Sequence, residues 1–147
     1  MDITEIKKYQ QNRHPLLFID KILDYEPASH ARSLKCFSYN EWFFPAHFED
    51  EPNVPGFILV EMMVQTFIMT VLTLPEYKGQ KTNFAKINNV KFSEKVIPGD
   101  TIISEAKLNK FKHGIATGIV ESWNNDILVC KGDFTIVLPS AIPQIKK

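Results

Sequence analysis

Between Gly56 and Leu74 the chain reads GFILVEMMVQTFIMTVLTL, apolar on nearly every helical face, and the run stops at Pro75. This pattern predicts a helix. One that is apolar all round is either in a membrane or enclosed by protein. Length alone permits a membrane span, which takes about 20 apolar residues. Glu61 and Gln65 favour enclosure: spaced i and i+4, they share one face, and a charged residue costs roughly 2.5–3.5 kcal/mol near the middle of a membrane helix.

The flanking pattern supplies the enclosure. Residues 2–11 predict a short helix on the spacing of Ile3, Ile6 and Tyr9, ended by His14-Pro15 because the residue before proline disfavours the helical region. Leu16–Tyr25 and Ala31–Tyr39 read as strands joined by Glu26-Pro27-Ala28-Ser29. The aromatic, proline-bearing stretch Asn40–Pro55 reads as an unusually apolar loop, and Pro75–Lys81 as a polar one. Four more strands follow: Asn83–Phe92, Thr101–Phe111, Gly114–Trp123 and Ile127–Leu138, with turn signals at Pro98-Gly99-Asp100, Lys112-His113-Gly114 and Asn124-Asn125-Asp126. The last strand alternates, with Leu128, Cys130, Gly132, Phe134, Ile136 and Leu138 on one face and Lys131, Asp133 and Thr135 on the other. One dry and one wet face is the pattern of an antiparallel sheet packed on something. The expected fold is α+β: about six antiparallel strands wrapped round one long central helix, in a single domain over 1–147.

Composition removes some functions. Lys plus Arg and Asp plus Glu both total 17, so the net charge is zero, which gives no electrostatic case for nucleic acid. Cys36 and Cys130 lie far apart in apolar-patterned segments, so both are expected as core residues in a reducing compartment. The start, MDITEIKKYQQ, has no apolar stretch after a basic one, so no secretory signal is expected and the cytoplasm is the default. The histidines show no zinc-ligand spacing, so neither a metal nor a cofactor is expected.

Three features carry candidate chemistry. Burying an ionised Glu61 costs several kcal/mol unless it is paired, so it has a partner, is reached by water, or serves a reaction. The alternative is a carboxylate that only locks a loop to the helix. His47 lies in the aromatic loop, where Trp42, Phe43, Phe44 and Phe48 can form an apolar pocket around an imidazole suited to acid/base work; the alternative is a packing histidine. His14, His30 and His113 fall at a strand entrance, a turn and a hairpin. Val54-Pro55-Gly56-Phe57 opens the helix, and a glycine there leaves N–H groups at the positive dipole end, able to hold an oxyanion. A tight turn would need the same residues.

In order, His14-Pro15-Leu16-Leu17-Phe18-Ile19-Asp20-Lys21, Asn40 to Phe48 (NEWFFPAHF), Pro52-Asn53-Val54-Pro55-Gly56, Glu61-Met62-Met63-Val64-Gln65, Phe84-Ala85-Lys86-Ile87, Val90-Lys91-Phe92 and Val96-Ile97-Pro98-Gly99-Asp100 resemble the 3-hydroxyacyl-acyl carrier protein dehydratases of the FabZ and FabA type. That resemblance covers nearly the whole chain. It implies the hot-dog fold, a homodimer joined sheet edge to sheet edge (and in some members a trimer of dimers), and an active site at the interface. It further implies that His47 removes the α-proton, that Glu61 of the other subunit acts at the β-hydroxyl, and that the Gly56 N–H receives the thioester oxygen. Gln65 then positions Glu61, while Pro55, Phe57 and Phe48 line the substrate site. The substrate is an acyl carrier protein or coenzyme A thioester. Glutamate rather than aspartate as the acid favours dehydration without isomerisation.

Two departures stand out. Where the family has Gly-His-Phe-Pro-Gly, this chain has Ala46-His47-Phe48-Glu49-Asp50, followed by Glu51, an acidic run expected to repel an acidic carrier. Phe57 replaces a smaller aliphatic residue and is expected to narrow the acyl tunnel. Both point to a specialised lipid or polyketide-like pathway. Two other readings stay open from sequence: a hot-dog thioesterase, which does not need His47, and a non-catalytic acyl-binding subunit.

Overall fold

A computed structural model describes residues 1–144; the last three positions of the expected 1–147 domain lie outside the described residues. The central element is helix α2 (Gly56–Leu72), following a short α1 (Ile3–Ile6). At 17 residues α2 is about 25 Å long. Thirteen of those residues are buried, so its all-round apolarity reflects enclosure by protein. No helix among the described residues is long and apolar enough to cross a membrane. The helix ends two residues earlier than expected. Thr73 turns its hydroxyl back to the Met69 carbonyl at 2.7 Å, and Pro75, lacking an N–H, starts a 3-10 turn.

Six strands form one antiparallel sheet: β1 (Lys21–Glu26), β2 (His30–Cys36), β3 (Asn83–Phe92), β4 (Thr101–Lys112), β5 (Ile115–Asn124) and β6 (Ile127–Val137), in the order β1-β2-β4-β5-β6-β3. The sheet curls round α2. Met62, Met63, Phe67 and Val71 of the helix share a core with Ile102, Ala106, Ala116, Val120, Phe134 and Ile136 of β4–β6. Register shifts in β1, β3 and β4 bend the strands as they wrap. Gly118 permits the closest approach, because a Cβ there would meet the Phe67 ring at 2.5 Å. The β4–β5 hairpin turns on His113 and Gly114, both at positive φ.

The structure departs from expectation at four further places. The N-terminal helix stops at Ile6 instead of reaching residue 11, since Arg13 reaches over the Lys7, Gln10 and Asn12 carbonyls. Leu16–Ile19 is apolar but joins no ladder, because Leu16 and Phe18 bond to the helix instead, and only at Asp20 does an N–H reach the Leu34 carbonyl of β2, at 2.8 Å. The Leu16 carbonyl accepts from Gln65 Nε2 at 2.7 Å, and the Phe18 N–H donates to Gln65 Oε1 at 2.7 Å. Strand β2 ends at Cys36; Phe37 then pairs with the Gly99-Asp100 turn. Cys36 is exposed, contrary to the expected core position, because Ala31, Ser33 and Lys35 take the inward face. Cys130 is fully buried.

Candidate active site

His47 sits just after a 3-10 turn (Phe44–Ala46) whose Phe44 is fully buried. Its neighbours divide differently from the expected aromatic pocket. Phe43 and Phe44 are drawn into the core, Trp42 lies half-exposed with its indole N–H on the Pro15 carbonyl, and Phe48 alone of the four stacks on the imidazole, centroids 4.6 Å apart. The histidine faces a cavity of about 600 Å³ lined by Asn53, Val54, Gly56, Leu59, Phe92 and Ser93–Val96.

The imidazole is oriented by a residue that sequence reasoning missed. His47 Nδ1 lies 3.1 Å from the Asn53 carbonyl, while the Asn53 N–H and side-chain amide both return to the His47 carbonyl at 2.9 and 3.2 Å. A carbonyl only accepts, so in the neutral imidazole Nδ1 carries the proton and Nε2 the lone pair. The only sequence signal for Asn53 was its place in the block Pro52-Asn53-Val54-Pro55-Gly56.

Pro55 caps α2 with no side-chain hydrogen bond, and Gly56 begins it. Ile58 and Leu59 donate their N–H groups to the Pro55 carbonyl at 3.0 and 3.3 Å. This leaves the Gly56 N–H without an intrahelical acceptor at the positive end of the dipole, where Gly56 lines the same cavity as His47. A Cβ at Gly56 would press on the tip of the Phe92 ring at 3.2 Å, so glycine here lets that ring lie close against the helix start. Phe57, next on the helix, is two-thirds exposed.

Glu61, one further turn along α2, lines a different cavity of about 300 Å³, with Gln10, Gln65 and the apolar floor Val64, Ile68 and Leu72. Gln65 is wholly buried and holds Glu61 Oε1 at 3.0 Å. Its own amide is fixed by the Leu16 and Phe18 backbone, so the carboxylate is aimed by a side chain with no freedom left. Within one chain, then, the predicted base and acid face separate cavities, near opposite ends of β3: Phe92 lines the first and Phe84 the second.

The acidic run is only partly free. Phe48 and Glu51 exchange backbone hydrogen bonds at 3.0 and 3.2 Å, replacing the missing proline-glycine turn. Glu51 pairs with Lys95 at 2.6 Å, and this lysine holds its carboxyl below the ordinary value. Glu49 and Asp50 remain exposed. No group of three or more His, Cys, Asp or Glu among the described residues could hold a metal.

Comparison with known proteins agrees with this architecture. The FabA-like domain family matches residues 11–133. A 3-hydroxyacyl-[acyl-carrier-protein] dehydratase FabZ of Roseiflexus sp. is 37% identical over 140 residues, covering 95% of this chain and 98% of the relative. The FabZ of Clostridium botulinum (strain Loch Maree) is 40% identical over 116 residues, 79% of this chain and 80% of the relative. Among solved structures, the dehydratase heterocomplex ApeI:P of Xenorhabdus doucetiae superposes with a TM-score of 0.78 at 14% identity, over 91% of this chain and 90% of that one. Zebrafish thioesterase superfamily member 2 gives 0.62 at 16% identity, over 80% of each chain; these likenesses describe the hot-dog fold. Family membership rests on the sequence relatives: the chain belongs to the FabA-like family of 3-hydroxyacyl-[acyl-carrier-protein] dehydratases.

Proposed function

We propose that the protein dehydrates 3-hydroxyacyl thioesters carried on acyl carrier protein to trans-2-enoyl thioesters, with His47 and Glu61 as its acid/base pair. The observation that carries this reading is His47, its Nε2 free, in one cavity with the uncapped start of α2. His47 Nε2 takes the α-proton. The electron pair moves onto the thioester oxygen, which the Gly56 N–H and the helix dipole stabilise. As the pair returns, the C3–O bond breaks, and Glu61 gives the departing hydroxyl a proton so that it leaves as water. Gln65 positions Glu61; Pro55, Phe48 and Phe57 border the thioester.

The same reading calls for a second copy. Strand β3 is a sheet edge whose outer side pairs with nothing among the described residues, and it exposes Phe84 and Phe92. These residues are eight apart, or roughly 27 Å along a strand. Two-fold pairing of β3 with its copy sets the Phe92 end of one chain against the Phe84 end of the other. The His47 cavity of each chain then meets the Glu61 cavity of its partner. A homodimer with two composite sites follows, working in the cytoplasm in fatty-acid or related lipid synthesis, with the exposed Glu49 and Asp50 at the His47 side tuning which carrier docks.

Hydration of a short trans-2-enoyl thioester, offered on carrier protein and on coenzyme A, tests the assignment. Turnover by the wild type that falls about 10²–10⁴-fold in His47→Ala is the expected result. Absence of wild-type turnover across carriers and chain lengths would contradict it.

A further inference from the structure

Dehydration produces a water molecule beside Glu61, in a site that must otherwise stay dry, and the lining of the Glu61 cavity shows where it can go. Gln10 lines that cavity and is 1% exposed. Its Nε2 makes one long contact, 3.5 Å to the Gln65 main-chain carbonyl. Its Oε1 is the one buried side-chain polar atom among the described residues with no hydrogen-bond partner. Buried amide oxygens in folded proteins are nearly always paired with protein or with water, so an orphan beside a reactive carboxylate calls for an explanation.

We propose that Gln10 Oε1 receives the water released from C3, and that the cavity beside Glu61 is its exit. This rests on the dehydratase reading above. The chemistry matches atom for atom. A water has two O–H groups to donate. Glu61, having surrendered its proton, offers a carboxylate oxygen, its Oε1 already held by Gln65, and Gln10 offers the second acceptor. Gln65 cannot serve, because both ends of its amide are committed to Leu16, Phe18 and Glu61. Beyond Gln10 the cavity is edged by Gln80, Lys81, Thr82 and Asn83, a polar path suited to water, whereas Val64, Ile68 and Leu72 keep its floor apolar. In the reverse direction the same pair of acceptors presents water to C3.

The test is kinetics and melting of the full-length protein with Gln10→Met, which keeps the shape and removes the acceptor. The expected result is a kcat for dehydration lower by about tenfold, the worth of one net hydrogen bond, with KM unchanged and a melting temperature no lower than wild type. Loss of an ordinary structural hydrogen bond would instead lower the melting temperature, and that result overturns the proposal, as does an unchanged kcat. Gln10→Asn, which keeps a neutral amide acceptor and adds no charge beside Glu61, is expected to stay within about threefold of wild type; a tenfold loss there counts against the water site, and this variant decides if the methionine variant does not fold. A wild type that dehydrates no 3-hydroxyacyl thioester refutes the underlying reading instead.

Discussion

His47 Nδ1 stands 3.1 Å from the main-chain carbonyl of Asn53, and the Asn53 amide reaches back to the His47 carbonyl at 3.2 Å. The loop between them is thereby closed on itself, and the imidazole is held as the tautomer whose Nε2 can take a proton. Asn53→Ala removes the side-chain half of this clasp, including its contact to the Glu51 carbonyl at 3.2 Å, and leaves the carbonyl that fixes the tautomer. A loss of about three- to tenfold in kcat is expected, far smaller than for His47→Ala. Steady-state kinetics on both variants checks the ordering, and equal losses would contradict it.

In the proposed mechanism Gln65 serves catalysis as well as folding. Gln65→Leu leaves the Phe18 N–H and the Leu16 carbonyl without their partner, and frees Glu61 Oε1. The expected cost is about 1–3 kcal/mol in denaturant unfolding for each buried group left unpaired. Because the carboxylate also loses its aim, kcat falls even at temperatures where the variant is fully folded. An inactive but undiminished fold, or a weakened fold with full activity, would separate the two roles assigned to this side chain.

Carrier choice is tested at the acidic turn. Glu51 is already occupied by Lys95, so the charge that a carrier meets is that of Glu49 and Asp50. Neutralising both, with Glu49→Gln and Asp50→Asn, is expected to lower KM for a substrate on an acidic carrier protein, more so at low salt. KM for a small thioester without a carrier should not change. An equal effect on both substrates would show that the turn acts through His47 instead.

The two thiols should behave differently. Cys36 is exposed, whereas burial pushes the Cys130 thiol up to about 11, partly offset by its hydrogen bond with Ser122. A thiol reagent at neutral pH should therefore modify Cys36 in the native protein and Cys130 only after unfolding. The raised value also has a stability sign. Cys130 ionises more easily unfolded than folded, so its contribution is complete below pH 9.0 and is lost as the pH climbs toward 11. Thermal melts across that window, compared with Cys130→Ala, should show the smaller alkaline loss in the variant.

The long helix and β3 were legible because their signals are local: apolarity on nearly every face between Pro55 and Pro75, and a strand-forming run at Asn83–Phe92 that the structure keeps to the residue. Glu61 and Gln65 were legible as a pair through helical spacing. What escaped sequence reading depends on partners distant in the chain. Leu16–Ile19 looks like strand, and the Gln65 amide, 49 residues from Leu16, explains why it joins none. Cys36 looks like core because the inward face of β2 is set by its pairing with β4. The aromatic run round His47 looks like one pocket, yet Phe43 and Phe44 belong to the core and Asn53 does the positioning. Gln10 carried no signal at all, since a buried glutamine within a polar stretch shows itself only by its surroundings.

The most direct measurement of the composite site is a mixed dimer. Two differently tagged chains, one His47→Ala and one Glu61→Gln, are co-expressed, and the heterodimer bearing both tags is assayed for dehydration beside each inactive homodimer. If His47 of one chain works with Glu61 of the other, one of the two sites in the heterodimer is intact, and about half of wild-type turnover returns. If both residues serve from the same chain, each site retains one defect, and the heterodimer stays as inactive as its parents.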